Sequence, residues 1–282
     1  MAQRRGENLM RQICVITGGG SGMGLATARI MGKTHYVIIC GRTAQKLEKA
    51  IAQLKTENIE CEAFSCDVSN QETVRELALH AKKLGNVQAV IHAAGMSPHM
   101  DNALKIMQAN ALGTIYINEE FSKVMEPCSC IVDVSSMSAY LTPKMIMPQG
   151  AYKFSVTDKT RFMKNMMRRV NLFPKNLRSN IAYCISKHFD IWYAKKSAGL
   201  YGDKGIRVVS VSPGNFETPM GKLEEEQADK FTKYAAIKRF GYAGEIAFLL
   251  ASIVDSRNGY LTGEDIVCDG GIVASGVNPM HK

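Results

Sequence analysis

"ICVITGGGSGMG", residues 13–24, decides the fold. A short apolar run (13–17) breaks directly into glycines, and helical spacing follows from Gly22 to Met31. Such a run bounded by turn residues predicts a strand, and the stretch reads as strand, glycine loop, helix. Gly18 permits the tight turn, Gly22 lets backbone approach a phosphate, and Gly24 lets the helix pack closely on the strand. Ser21 and Met23 lie between those glycines, where the N–H groups of the helix N-terminus face whatever the loop holds. The loop therefore predicts a bound dinucleotide.

Strand and helix keep alternating outward from that loop. "YVIIC" (36–40) is a second strand, and 44–58 is an amphipathic helix with Leu47, Ile51 and Leu54 on one face. "CEAFSCDV" leads to Ser69, where "SNQE" (69–72) fits a capping box that opens a third helix. "VQAVIHAAG" (87–95) reads as a fourth strand, 103–125 as one long helix and "SCIVDVSS" (129–136) as a fifth strand. A helix near 181–200, the strand "IRVVSVS" (206–212), two short helices and a last strand "EDIVCDGG" follow. Strands buried on both faces and separated by helices imply α/β architecture, a doubly wound parallel sheet of Rossmann type. The rhythm breaks only at 137–180, which reads as an insertion within one domain spanning 1–282.

Composition is ordinarily globular, with 46% hydrophobic and 22% charged residues. No run of eighteen apolar residues predicts a membrane span, and the leader "MAQRRGENLMRQ" lacks the apolar core of a secretion signal. None of the eight cysteines forms a C-x-x-C pair, and the C-x-C at Cys128 and Cys130 has no nearby histidine. Reduced thiols in the cytoplasm and no metal site are expected. The net charge of +9 is concentrated: between Tyr140 and Ala182 stand nine Lys/Arg and one acid, Asp158, while the rest of the chain is nearly neutral. A general nucleic-acid binder would not gather its charge into one segment around a neutral body.

The end of the second strand selects the cofactor. An acid about 20 residues past the glycines would hold a ribose 2′-hydroxyl. Here stand Cys40, Gly41 and Arg42, with no acid until Glu48, and Arg42 offers a fork to a 2′-phosphate. This favours NADP, with NAD as the alternative.

"YCISK" places Tyr183 and Lys187 one helical turn apart on one face. Taken with "TGGGSGMG", "HAAG", Asn110 in "MQANALGT", "DVSSMS" and "SPGNFETPM", it resembles the short-chain dehydrogenase/reductase family from about Gln12 to Gly271. The chemistry can be argued from the residues. Hydride transfer to a ketone creates an alkoxide that needs a proton, and a phenol donates it well if its pKa falls from about 10 toward neutrality. An ammonium one turn away favours the phenolate. The resemblance implies that Ser136 holds the carbonyl oxygen, that Asn110 orders a water in the proton relay and that Lys187 also reaches the nicotinamide ribose. It further implies that Asp67 and Val68 contact the adenine and that Ala93 and Gly95 flank the cofactor. Pro213, Gly214, Phe216 and Thr218 match the loop that holds carboxamide and phosphates. Two features depart from the pattern. His92 stands where the family often has asparagine, and is expected to be a satisfied structural histidine. Ser136 and Tyr183 are 47 positions apart, far more than in the family, because the insertion enters between them.

Both ends of that insertion are tied to the site. A helix over 158–171 would place Phe162, Met163, Met166, Met167 and Val170 on one face, with Arg161, Lys164 and Arg168 off it. A Met-lined face of this kind can serve as an adaptable lid over a bulky apolar substrate, with Ser138 also in reach and the cations meeting a carboxylate. Bile acids fit that description, and some bacterial 3α/3β-hydroxysteroid dehydrogenases resemble this chain in having such an insertion and an end like "IVCDGGIVASGVNP". The same face could instead be buried against a second subunit of a homodimer or homotetramer. A 3-oxoacyl thioester reductase, whose acidic carrier would seek the cations, and a nucleotide-binding regulator without turnover are the other readings.

Overall fold

The computed structural model of the protein describes residues 11–220 and 231–276. Seven parallel strands form one sheet: β1 (Gln12–Thr17), β2 (Tyr36–Gly41), β3 (Cys61–Ser65), β4 (Asn86–His92), β5 (Ser129–Val134), β6 (Ile206–Pro213) and, after the two-residue strands β7 (Phe216–Glu217) and β8 (Gly241–Tyr242), β9 (Asp265–Cys268). Their order is β3-β2-β1-β4-β5-β6-β9. The chain thus winds outward from β1 in one direction, returns, and winds outward in the other. The period-2 alternation of a strand splits each one between two cores. Cys14 and Ile16 of β1 join a cluster under α1 (Gly22–Met31), α2 (Ala44–Thr56) and α10 (Ala243–Val254). Ile13 and Val15 join another under α3 (Gln71–Leu84), α5 (Gly113–Phe121) and α9 (Arg178–Tyr201). The Rossmann-like architecture expected from the glycine loop is what forms. In such a sheet the crevice for ligands opens beyond the carboxyl ends of the strands, where the winding reverses, here between β1 and β4.

Local boundaries differ from expectation for physical reasons. The fourth strand ends at His92, so Ala93–Gly95 are loop. Ser69 does not cap α3: its N–H and hydroxyl both turn back to Asp67 Oδ1, and Asn70 takes the cap by accepting from Glu72 N at 2.9 Å. The long helix over 103–125 is broken into α4 (Ala103–Met107) and α5 by a π turn at Gln108–Leu112 that carries Asn110. The last strand is shorter than "EDIVCDGG". Of the two short helices before it, α10 is present, while residues 221–230 lie outside the described residues, as do the leader up to residue 10 and the end of "IVASGVNP".

The insertion forms α6 (Ser138–Leu141), α7 (Gln149–Tyr152) and α8 (Lys159–Val170). Asp158 caps α8 by accepting from Arg161 N at 2.9 Å. Phe162, Met166 and Val170, spaced by four, are fully buried, and Met163 and Met167 pack beside them. That face meets the protein's own α4, α7 and α9: Phe162 lies 4.7 Å from Phe189 and Tyr152 lies 5.2 Å from Phe189, centroid to centroid. The Met/Phe face is therefore neither a lid over substrate nor a surface left for a second subunit. An amphipathic helix docks on the largest apolar surface within reach, and α9 offers one in the same chain. Several of the cations hold the insertion together. Arg169 donates to the carbonyls of Ile146, at 2.8 Å, and Met145; Arg178 donates to those of Phe173 and Asn171. Lys159 pairs with Glu119 at 2.9 Å and Arg161 stacks 4.0 Å over the Phe154 ring.

Candidate active site

The glycine loop builds a cradle at the carboxyl end of β1. Gly18 takes φ +69° and Gly22 takes φ +55°, the left-handed region that glycine adopts at no steric cost. A Cβ on Gly24 would sit 2.6 Å from the Gly18 carbonyl oxygen, so only glycine lets α1 approach the loop this closely. Ser21 leads into α1 without a side-chain cap bond, and no acidic residue stands in the first turn. The positive end of that helix therefore faces a cleft of about 210 Å³ lined by Gly18, Ser21, Gly22, Met23, Gly24, Arg42, Asp67, Val68, Ala93, Gly95 and Thr218. These residues suit an adenine dinucleotide: a glycine cradle for the pyrophosphate and an arginine at the end of β2. Cys66, Met96 and Met100 also line the wall and carried no motif that would have marked them.

Met23 and Thr218 also line a second, adjoining cleft of about 350 Å³, with Ser136, Tyr183, Pro213, Gly214 and Phe216 in its wall. The two serines that follow β5 both border this cleft but make different bonds. Ser135 is buried and donates to the Lys187 carbonyl at 2.7 Å, tying β5 to α9. Ser136 faces the cleft, its Oγ accepting from Ser138 N at 3.2 Å. Ser138 lines the same cleft, and its hydroxyl is buried with no hydrogen-bond partner among the described residues.

Behind Tyr183, α9 buries Lys187, whose ammonium donates to the Val134 carbonyl at 2.8 Å and to Asp190 at 3.0 Å. Asn110 Oδ1 accepts from Met96 N at 2.8 Å, and its Nδ2 donates to the Met96 carbonyl and to Ser186 Oγ, each at 3.1 Å. The amide is thus a tie between the 93–97 loop and α9. Gly95 fits between: a Cβ there would lie 3.3 Å from Asn110 Oδ1 and 3.6 Å from the Lys187 ammonium. His92 is buried with Nδ1 2.8 Å from the Thr17 hydroxyl, which accepts from Ala94 N at 3.0 Å. Burial, and then the Lys187 charge, push His92 down to about 3, so it is the neutral structural histidine expected.

The structure places Ser136 and Tyr183 in one cleft wall, and Asn110 and Lys187 on either side of Gly95, although the chain separates them. It does not bring Phe162, Met163 or Met166 to the cleft, because those side chains are spent in the core. The insertion contributes its ends instead, with Met137, Ser138 and Leu141 at one side and Leu177 and Asn180 at the other. Among the described residues lining this cleft there is no Lys or Arg, so the basic cluster does not reach into it. Asp190 and Thr114 were missed. The i,i+3 spacing of Lys187 and Asp190 on one helix was the available signal. Among the described residues no group of His, Cys, Asp or Glu could hold a metal ion, and no helix is long and apolar enough to cross a membrane.

Comparison with known proteins agrees with this geometry. Residues 12–172 match the family model described as short chain dehydrogenase, and residues 174–273 match one described as enoyl-(acyl carrier protein) reductase. A short-chain dehydrogenase/reductase, bsc3, of Alternaria brassicicola is 28% identical, over 94% of this chain and 97% of its own. A human 3-oxoacyl-[acyl-carrier-protein] reductase is 27% identical, over 93% and 98%. Among solved structures, an actinorhodin polyketide ketoreductase with NADPH superposes with a TM-score of 0.73 at 20% identity, covering 93% of this chain and 97% of that one. A short chain dehydrogenase of Burkholderia cenocepacia in complex with NADP gives 0.74 at 20% identity, covering 94% and 99%.

Proposed function

The chain belongs to the short chain dehydrogenase family and is an NAD(P)-dependent oxidoreductase, and from that premise we propose that it uses NADP to interconvert a hydroxyl and a ketone on a steroid or bile acid. When bound, the nicotinamide supplies or accepts the hydride. Tyr183 holds, at its phenolic oxygen, the proton that the alkoxide takes up on reduction and returns on oxidation. Ser136 in the same wall donates to the substrate oxygen as charge builds there. The Lys187 ammonium, one turn along α9, favours the phenolate and so eases release of the proton. Asn110 keeps the 93–97 loop against α9, and so keeps Gly95 against Lys187. Arg42 would hold a 2′-phosphate, since no acid stands at the end of β2 to claim a ribose hydroxyl.

The observation that carries the substrate class is the wall of the 350 Å³ cleft. Tyr183 and Ser136 open onto Met23, Leu141, Leu177, Ile181, Phe231 and Phe240, and the volume lies in the range of pockets that enclose drug-sized apolar ligands. The feature recognised is then the ring system, not a carboxylate, because no Lys or Arg stands among the described residues of the wall. A second reading, reduction of a 3-oxoacyl thioester, is favoured by relatives of that name and by Lys164, Arg168 and Lys175. These are exposed on the insertion whose ends line the cleft, where an acidic carrier would meet them.

The test follows the near-ultraviolet absorbance of NADPH and NADH, separately, with oxo-steroids, oxo-bile acids and an oxoacyl thioester, using Tyr183→Phe as the blank. Turnover of the ring compounds, abolished in that variant, is the expected result. Turnover of the thioester alone would replace the steroid reading. Arg42→Ala should raise KM for NADPH at least about tenfold and leave that for NADH unchanged.

A further inference from the structure

Lys187 does not stand alone behind Tyr183. Its ammonium is 3.0 Å from Asp190 Oδ2, and both side chains are buried. Asp190 Oδ1 accepts from the Thr114 hydroxyl at 2.9 Å, and that hydroxyl also lies 2.8 Å from the Asn110 carbonyl oxygen. One carboxylate therefore joins the lysine of α9 to the π turn that carries Asn110. We propose that Asp190 is a positioning residue for the reaction: it fixes the Lys187 ammonium and, as its counter-ion, sets how strongly that ammonium acidifies Tyr183. The proposal rests on Tyr183 being the proton donor assigned above.

The surrounding charges leave Asp190 that role. Asp133 of β5 faces the pair, but full burial lifts its carboxyl well above the usual range even though Asn118 Nδ2 donates to both its oxygens at 3.0 Å. That burial favours its uncharged form. His92 of β4 faces Lys187 and is neutral for the reason given. Tyr152 of α7 feels Asp190, and burial keeps its phenol protonated. Asp265 of β9 also acts on Asp190, but its oxygens are held by the hydroxyls of Ser210, at 2.5 Å, and Tyr140, at 2.6 Å. Asp190 itself is raised to about 6 by burial, against the opposing pull of Lys187 and Thr114, and its 3.0 Å contact with the ammonium is that of a counter-ion. A buried anion in contact with the ammonium offsets part of its field at any third group nearby. Without that anion, Lys187 acts on the Tyr183 phenol undiminished.

The experiment titrates tyrosinate absorbance in the nucleotide-free protein, as the difference between wild type and Tyr183→Phe, and repeats it with Asp190→Asn in both. Six of the ten tyrosines, Tyr36, Tyr116, Tyr140, Tyr152, Tyr193 and Tyr201, are pushed up chiefly by burial, and the subtraction removes the rest. The expected result is a Tyr183 midpoint about one unit lower in the Asp190→Asn background, with the melting temperature showing a folded protein. An unchanged or raised midpoint in that folded variant overturns the proposal. Should Asp190→Asn fail to fold, Asp190→Ser, which also removes the carboxylate and keeps a hydroxyl in reach of Thr114, is expected to move the midpoint the same way. An unmoved midpoint there overturns it equally. Neither titration uses substrate or nucleotide, so a steroid panel that fails to turn over sinks the substrate reading and leaves this result standing.

Discussion

Phe162→Ala removes a ring that is fully buried on α8, 4.7 Å from Phe189 and beside Tyr152 and Met166. Truncating a buried phenylalanine loses the transfer free energy of the ring and leaves a cavity, together about 3–5 kcal/mol. The cavity here is framed by α7, α8 and α9, whose aromatic rings interlock and collapse poorly, so the upper half of that range is expected. For a chain of this size each kcal/mol lowers Tm by roughly 2–4 °C, which predicts a fall on the order of 10 °C. Circular dichroism on heating reads that fall, and steady-state kinetics below both transitions reads the site. Because the ring is absent from the cleft wall, KM and kcat should change by less than about twofold. An unchanged Tm with a KM raised several-fold would mean that α8 covers substrate after all, and would refute the packing argument.

Two further outcomes are expected. Ser136→Ala should lower kcat by about 10²–10³ with little change in stability, while Ser135→Ala, which breaks the bond to the Lys187 carbonyl, should cost about 1–2 kcal/mol of stability, measured by urea unfolding; equal effects on kcat would refute the division of roles. His92 is held near 3 in the fold against an ordinary value of 6.5, so the unfolded chain binds the extra proton between those values and stability falls as pH falls through that window. Between pH 7 and pH 5 this contributes a loss of about 2 kcal/mol, which His92→Asn should remove. Asp190 and Asp133, whose raised carboxyls act in the opposite direction, are common to both proteins and cancel, so parallel pH dependences would sink the assignment.

What the sequence by itself determined is what local physics decides. A glycine that must take positive φ, a run of apolar residues buried on both faces, and two side chains one helical turn apart are set by neighbours within a few residues. Gly18, Gly22, the strands around them and the Tyr183–Lys187 pair were therefore legible. The serine of the pair ending β5 was identified through a resemblance, and the reason it is Ser136 emerged only when Ser135 was found bonded to the Lys187 carbonyl across 52 positions. The π turn at Asn110 was hidden because its residues are ordinary helix formers, and only the ties to Met96 and Ser186 show what that turn positions. Tertiary structure alone decided the fate of α8. Periodicity says that Phe162, Met166 and Val170 share a buried face, but an apolar stripe gains nearly the same free energy against substrate, a second subunit or the protein's own core. The choice fell to α9, the apolar surface the chain places closest. It turned the basic side chains toward backbone carbonyls and solvent, and it left the apolar side of the cleft to residues such as Leu141, Leu177, Ile181 and Phe240 that the sequence pattern had not marked.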